Sequence, residues 1–198
     1  MGAGALDEGA GAEVAAAERI RAFFGLPVPQ EQRAILGSFL AASAEVAPRF
    51  RWTPADNLHL TVRFIGGADR GLVEGIADRL VNLGLSAFDL ELGDLGTFKR
   101  GRLVRVVWQG LRSGAGTLTA LAGRVDAECE AAGLAGEKRA FQAHLTLARA
   151  RARDGAELPS LPPPPVVSPW RASELVLYAS RLGKTGAVYE PLRAVQLD

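Results

Sequence analysis

Hydrophobic residues along this chain keep two rhythms, every second position and every third or fourth, and the switches between them mark the expected elements. Residues 1–18 (MGAGALDEGAGAEVAAAE) hold little beyond Ala, Gly and acid, so a flexible tail with a helical end is expected. Residues 19–26 are rich in Ile and Phe, stop at Pro27 and Pro29, and read as a strand. From Gln30 to about Val46 the spacing of Ile35, Leu36, Phe39 and Leu40 predicts a helix, ended by Pro48. A short strand over 49–52 and a turn over 53–57 (TPADN) follow, then a strand over 58–65 stopped by Gly66-Gly67. A second helix is expected over 71–83. Strands over 88–92 and 103–109 follow, joined by the turn at residues 99–102. A third helix spans 117–132 and ends near Gly133. The remaining strands fall at 141–150, 173–180 and 189–196, with a loop at 154–165 that holds four consecutive prolines.

Strands outnumber helices and hairpin-like neighbours recur, which predicts an α+β fold with antiparallel pairing rather than a doubly wound parallel sheet. No Gly-rich phosphate loop follows a strand, and Gly114-Ala115-Gly116 lacks the lysine of a nucleoside-triphosphate site. With 198 residues, 48% of them hydrophobic, the chain can bury a core without disulfides or metal. Its single cysteine, Cys129, falls in a helix and reads as an inert buried thiol, in keeping with a reducing compartment. The net charge of +1 argues against wrapping a long nucleic acid and leaves room for a local basic pocket. No apolar run is long enough to span a membrane, and the N-terminus lacks the pattern of a signal peptide, so a cytoplasmic protein is expected.

One weak internal repeat carries chemistry. Asn57-Leu58-His59-Leu60-Thr61-Val62-Arg63-Phe64 resembles Gln142-Ala143-His144-Leu145-Thr146-Leu147-Ala148-Arg149. The chain has two histidines and seven threonines, and both histidines have Thr two residues on. In a strand, residues two apart share a face, so His59 goes with Thr61 and His144 with Thr146. Leu58, Leu60, Val62 and Phe64, like Leu145 and Leu147, take the opposite, core face. Side by side, two such strands present two imidazoles and two hydroxyls to one groove. One neutral imidazole can activate water while a protonated one gives its proton to a leaving oxygen. Hydroxyls can donate to phosphoryl oxygens as charge grows there. Two distant histidines and one cysteine, with no His-carboxylate cluster, make a poor metal-ligand set.

With these residues the chain resembles the two-histidine phosphoesterase superfamily, and within it the RNA 2′,3′-cyclic phosphodiesterases of bacteria and archaea, also known as 2′-5′ RNA ligases. The likeness runs from about Arg19 to Gln196. It includes residues 21–27 (RAFFGLP), 52–54 (WTP), 57–66, 139–149, 177–182 (LYASRL) and 186–189 (GAVY). It implies two pseudo-symmetric lobes, over residues 19–198, with antiparallel sheets around a central cleft and helices outside. It implies hydrolysis of terminal RNA 2′,3′-cyclic phosphates, tRNA fragments among them, to 2′-phosphomonoesters by a monomer without metal or cofactor. His59 would be the proton donor to the leaving 3′ oxygen and His144 the base that activates water. Thr61 and Thr146 would bind phosphoryl oxygens, with Arg149 helping to hold the phosphate. Strict alternation sets Arg149 on the face opposite His144, so it reaches the cleft only if the strand bends. Ala143 stands where several relatives have Pro, and the acidic tail has no counterpart in the family.

Taken singly, each histidine reads as a satisfied core or surface residue and each threonine as an ordinary strand former. Arg63 shares the face of His59 on strict alternation and reads first as a structural partner for a carboxylate. Arg139, the 99–102 turn and the run Arg149, Arg151 and Arg153 read as RNA contacts or as solvated surface. Phe23, Phe24, Trp52, Phe141, Tyr178 and Tyr189 are candidates for stacking a base, most of them core. Three other activities compete: hydrolysis of small cyclic nucleotides or an ADP-ribose cyclic phosphate, RNA end joining as a side activity, and RNA-end binding without catalysis.

Overall fold

The structure is a computed structural model and describes residues 18–183 and 186–198. The tail expected over residues 1–18 lies outside the described residues except for Glu18. In chain order, β1 (Arg19–Pro27) leads to α1 (Gln30–Val46), β2 (Phe50–Trp52) and a 3₁₀ turn (Ala55–Asn57). Then come β3 (His59–Asp69), α2 (Arg70–Val81), β4 (Phe88–Arg100), β5 (Leu103–Ser113) and α3 (Ala115–Ala131). The chain closes with β6 (Leu145–Ala150), β7 (Trp170–Ala172), β8 (Glu174–Leu182) and β9 (Ala187–Gln196).

Each helix buries one apolar stripe at helical spacing: Leu36, Phe39 and Leu40 in α1; Val73, Ile76, Ala77 and Leu80 in α2; Leu118, Leu121, Ala122, Val125 and Cys129 in α3. All three stripes join one core with the inward residues of the sheet, among them Leu60, Val62, Leu145 and Leu147. The Asp69 side chain caps α2, accepting from the Leu72 amide at 2.9 Å, a contact worth about 0.5–2 kcal/mol.

Strand order across the sheet is β7-β4-β5-β6-β3-β1-β8-β9, with β2 also against β6, and neighbours run antiparallel. The order is symmetric about its middle. β6 and β3 stand at the centre, flanked by β5 and β1, then β4 and β8, then β7 and β9. The unit β1–α1–β3 thus recurs as β5–α3–β6, an α+β fold of two similar halves. β3 and β6 touch at one ladder pair, Leu60 opposite Leu145.

The departures from expectation have physical causes. β3 does not stop at Gly66-Gly67 but runs on to Asp69. Ala22 pairs with Gly66 and Phe23 with Phe64, so Ile65 is the extra residue of a bulge, and Gly66 takes the positive φ (82°) this requires. β4 and β5 extend well past the expected 88–92 and 103–109. Gly96 does not end β4 but makes room for an indole: a Cβ there would lie 2.2 Å from the Trp108 ring. β6 starts at Leu145 rather than at Phe141. β7, three residues long, was not expected.

Candidate active site

Leu60 and Leu145 are both fully buried and face each other at the seam between the halves. The residues on either side of them point the other way. Antiparallel register about this pair sets His59 across from Thr146, and Thr61 across from His144. The two histidines therefore sit on a diagonal, each with a threonine opposite and another two residues along its own chain. His144 itself lies in the loop residue just before β6.

Both rings are held in one tautomer. His59 Nδ1 donates to the Asn57 carbonyl at 2.8 Å, and His144 Nδ1 donates to the Gln142 carbonyl at 2.7 Å. A carbonyl can only accept, so each Nδ1 carries a proton and each neutral ring keeps its lone pair on Nε2. His59 Nε2 lies 3.1 Å from Thr61 Oγ1. Asn57 is itself tied to β9 through its side-chain amide, which donates to the Ala187 carbonyl at 2.8 Å.

Both imidazoles titrate below the ordinary 6.5. Burial is the main cause for His59; the Asn57 carbonyl opposes it, and the charges of Arg149 and His144 add to it. Burial also leads for His144, opposed by the Gln142 carbonyl and reinforced by Arg149. The burial is aromatic. His59 packs between Phe23, centroids 4.7 Å apart, and Tyr189, 5.2 Å away and edge-on. His144 meets Phe98 edge-on at 5.1 Å and Trp108 at 6.1 Å. At neutral pH the cleft thus presents two neutral bases, and an anion between them favours a proton on one.

Two bulges, at matching places in the two copies, decide what else enters the cleft. Across β1 and β3, Phe24 pairs with Arg63 and Gly25 with Thr61, which leaves Val62 extra. Across β5 and β6, Val107 pairs with Ala148 and Trp108 with Thr146, which leaves Leu147 extra. An extra residue resets the alternation. Arg149 therefore turns to the cleft that strict alternation denied it. Phe64, its counterpart in the first copy, leaves the expected core face: it is 43% exposed and lines the cleft. Arg63 does not share the face of His59 but turns inward, 9% exposed.

The cleft has two adjoining parts. About 510 Å³ on the His59 side is lined by Arg21, Phe23, Thr53, Thr146, Arg149 and Tyr189, among others. About 600 Å³ on the His144 side is lined by Phe98, Arg139 and Phe141, with α3 behind them. Thr61 and Phe64 border both parts. Of the aromatic candidates, Phe23, Tyr189 and Phe141 line the cleft, while Phe24 is fully buried and Trp52 packs against the core. Tyr178 stacks on Phe23 behind His59. Phe98 escaped sequence reasoning because β4 is longer than expected, and Trp108 because nothing in its expected strand marks the face it shares with His144. Gly25 escaped it too; a Cβ there would sit 3.2 Å from His59 Cδ2, so its lack of a side chain makes room for the ring.

Behind the cleft, Arg63 fastens the loop that delivers His144. Its Nε lies 2.7 Å from Asp126 Oδ1 on α3, and its guanidinium donates to the carbonyls of Ala135 (2.5 Å) and Phe64 (3.0 Å). Asp126 also accepts from the Glu137 amide. Of the other basic candidates, Arg100 pairs with Asp154, and Arg151 donates to the Pro48 carbonyl. Among the described residues no three His, Cys, Asp or Glu side chains gather to hold a metal ion. Cys129 is buried, its thiol pushed up to about 11 by burial. No helix among the described residues is long and apolar enough to cross a membrane.

Fold and site together define a chain of two strand–helix–strand copies, each bringing one histidine and one threonine to a shared cleft. The profile of the LigT like Phosphoesterase family matches residues 26–108 and 111–189, and the chain belongs to that family. Each matched stretch holds one His-x-Thr. The RNA 2′,3′-cyclic phosphodiesterase of Escherichia coli K12 is 30% identical over 173 residues, 87% of this chain and 94% of that protein. The protein of the same name from Aeropyrum pernix is 38% identical over 94 residues, 48% of this chain and 53% of that one. Among solved structures, E. coli LigT complexed with 3′-AMP superposes with a TM-score of 0.76 at 29% identity, over 91% of this chain and 99% of that chain. A structure described as a phosphoesterase gives 0.77 at 30% identity with the same coverage.

Proposed function

We propose that this chain hydrolyses RNA 2′,3′-cyclic phosphate ends to 2′-phosphomonoesters, without a metal ion, as a cytoplasmic monomer. The observation that carries the reading is the diagonal of His59 and His144 about the Leu60–Leu145 pair, each with Nδ1 on a carbonyl and its lone pair on Nε2, which in His59 meets the Thr61 hydroxyl. His144 Nε2 takes a proton from water as the water oxygen attacks phosphorus. The bond from phosphorus to O3′ breaks, and protonated His59 gives its Nε2 proton to O3′. The products are a 2′-phosphate and a 3′-hydroxyl, and the two histidines have exchanged protonation states. The pair contributes by general acid–base catalysis, about 10²–10⁴-fold for each role. Thr61 and Thr146 donate to the non-bridging oxygens, and Arg149 neutralises charge that grows on them.

His144 is the less enclosed of the two rings, which suits a base that must receive water, and the more enclosed ring of His59 suits an acid. The names of the E. coli and A. pernix relatives support RNA 2′,3′-cyclic phosphate as the substrate. A 5′-hydroxyl in place of water would give end joining by the same steps, as a side activity.

The test uses a short RNA with a 2′,3′-cyclic phosphate end, in chelator, beside His59→Ala and His144→Ala. Conversion to a 2′-phosphate that both substitutions abolish is the expected result. Turnover that survives in both variants would overturn the reading. Unreacted RNA that still binds would point instead to an end-binding module, and turnover of cyclic mononucleotides alone to a small-molecule enzyme.

A further inference from the structure

Arg51 on β2 stands directly opposite Arg149 on β6, between the pairs Phe50–Ala150 and Trp52–Ala148. Directly opposed residues share one face of a sheet, with Cβ atoms about 4.5–5.5 Å apart, and like charges placed so cost stability. The neighbours confirm which face this is: Phe50 and Ala148 turn into a buried cluster with Val104 and Val107. Arg51 and Arg149 turn the other way, and both are exposed. Among the described residues neither forms an ion pair with a carboxylate. Two guanidinium groups held side by side without an acid make a site for an anion.

The place of this pair says which anion. Two residues on from Arg51 and just past the end of β2, Thr53 lines the cleft; its amide donates to the Leu147 carbonyl at 2.8 Å and its hydroxyl to the Thr146 carbonyl at 3.2 Å. The arginine pair thus lies one strand repeat outward from the threonines, about 7 Å at the usual rise. A cyclic phosphate ends its RNA on the 3′ side, so every further phosphate lies on the 5′ side of the terminal nucleotide.

We propose that Arg51, paired with Arg149, binds the phosphodiester 5′ to the terminal nucleotide, so that the cleft selects an oligonucleotide over a cyclic mononucleotide. The proposal rests on the reading of the histidine cleft as a cyclic phosphodiesterase. Arg149 lies between the two sites and serves both, whereas Arg51 has nothing to hold in a mononucleotide.

The test compares kcat/KM for adenosine 2′,3′-cyclic phosphate and for a triadenylate with the same end, in wild type and in Arg51→Gln. Wild type should favour the triadenylate, and the preference should fall as salt rises. Arg51→Gln should shrink the ratio by about 10–100-fold, the usual loss for a hydrogen bond to a charged group, and chiefly through KM. Equal losses on both substrates, or an unchanged ratio, would overturn the proposal. A parallel measurement keeps it independent of turnover: binding of 3′-AMP and of triadenylate 3′-phosphate by calorimetry. Arg51→Gln should weaken the longer ligand selectively even if wild type hydrolyses neither substrate. Equal weakening of both ligands, or of neither, would count against Arg51.

Discussion

Arg149, five residues after His144, lowers the proton affinity of both histidines, although strict alternation would place it on the far face of its strand. It reaches them because Leu147 is an extra residue in β6. Arg149→Gln should therefore raise the pKa of both imidazoles while weakening phosphate binding. With only two histidines in the chain, proton NMR of the ring Cε1 hydrogens gives both titrations in one experiment. If neither moves, the guanidinium does not act on them.

The depressed values also fix how pH acts. Free enzyme needs one neutral and one protonated ring, and both titrate below 6.5. The bell of kcat/KM should therefore peak on the acid side of 6.5 and fall through neutrality. A bound phosphate favours the imidazolium, so the kcat profile should lie to the alkaline side of it. Stability follows the same shifts. Below pH 6.5 the unfolded chain binds more protons than the folded one, so stability is lost as the pH drops, until the folded rings protonate as well. Above 6.5 this contribution is fully present. Urea unfolding from pH 7.5 to 5, with the slope compared in His59→Ala, checks the sign.

Gly25 is a packing requirement of the site, because a Cβ would meet His59 Cδ2 and the Leu60 carbonyl, each at 3.2 Å. Its φ is not in the left-handed region, so alanine brings crowding without backbone strain. Gly25→Ala should reduce kcat by on the order of tenfold through a displaced ring. Thermal unfolding should shift only a few degrees. An unchanged kcat would mean that the ring has room to give.

The seam is more demanding. Leu145→Ala removes a fully buried side chain at the one pair that sets both histidines, and should cost about 2–5 kcal/mol. Urea titration measures that loss, and turnover well below the new transition should still be reduced because the diagonal is loosened. Full activity there would show that the seam does not set the site.

What was legible in the sequence, and what was not, follows from the same geometry. His59 with Thr61 and His144 with Thr146 were legible because the spacing of two ties each pair to a face whatever the register. Arg63, Phe64 and Arg149 come after a bulge, and nothing in the letters marks Val62 or Leu147 as the extra residue. Gly66 misled in the same way: it reads as a stop but serves a bulge within a continuous strand. The antiparallel α+β class was readable from the order of the elements. The mirror order of the strands depends on contacts between distant segments.

Arg63 shows how far one misplaced residue can matter. Alternation put it on the face of His59, but the bulge turns it inward, where it holds Asp126, the carboxylate partner it was expected to have, and the Ala135 carbonyl. Those contacts fix residues 132–144, a stretch without helix or strand whose last member is His144. The strand that carries His59 thus also anchors the loop that carries His144. Removing one partner of a largely buried ion pair leaves the other uncompensated, at a cost of roughly 3–5 kcal/mol. Arg63→Met should lose about that much by urea titration and should speed hydrogen exchange across residues 132–144. Arg63→Lys keeps the charge but cannot reach Asp126 and the carbonyls together, and it should recover stability more than turnover. Since Arg63 does not touch the substrate, kcat should fall with KM little changed. A rise in KM alone would instead place Arg63 at the phosphate.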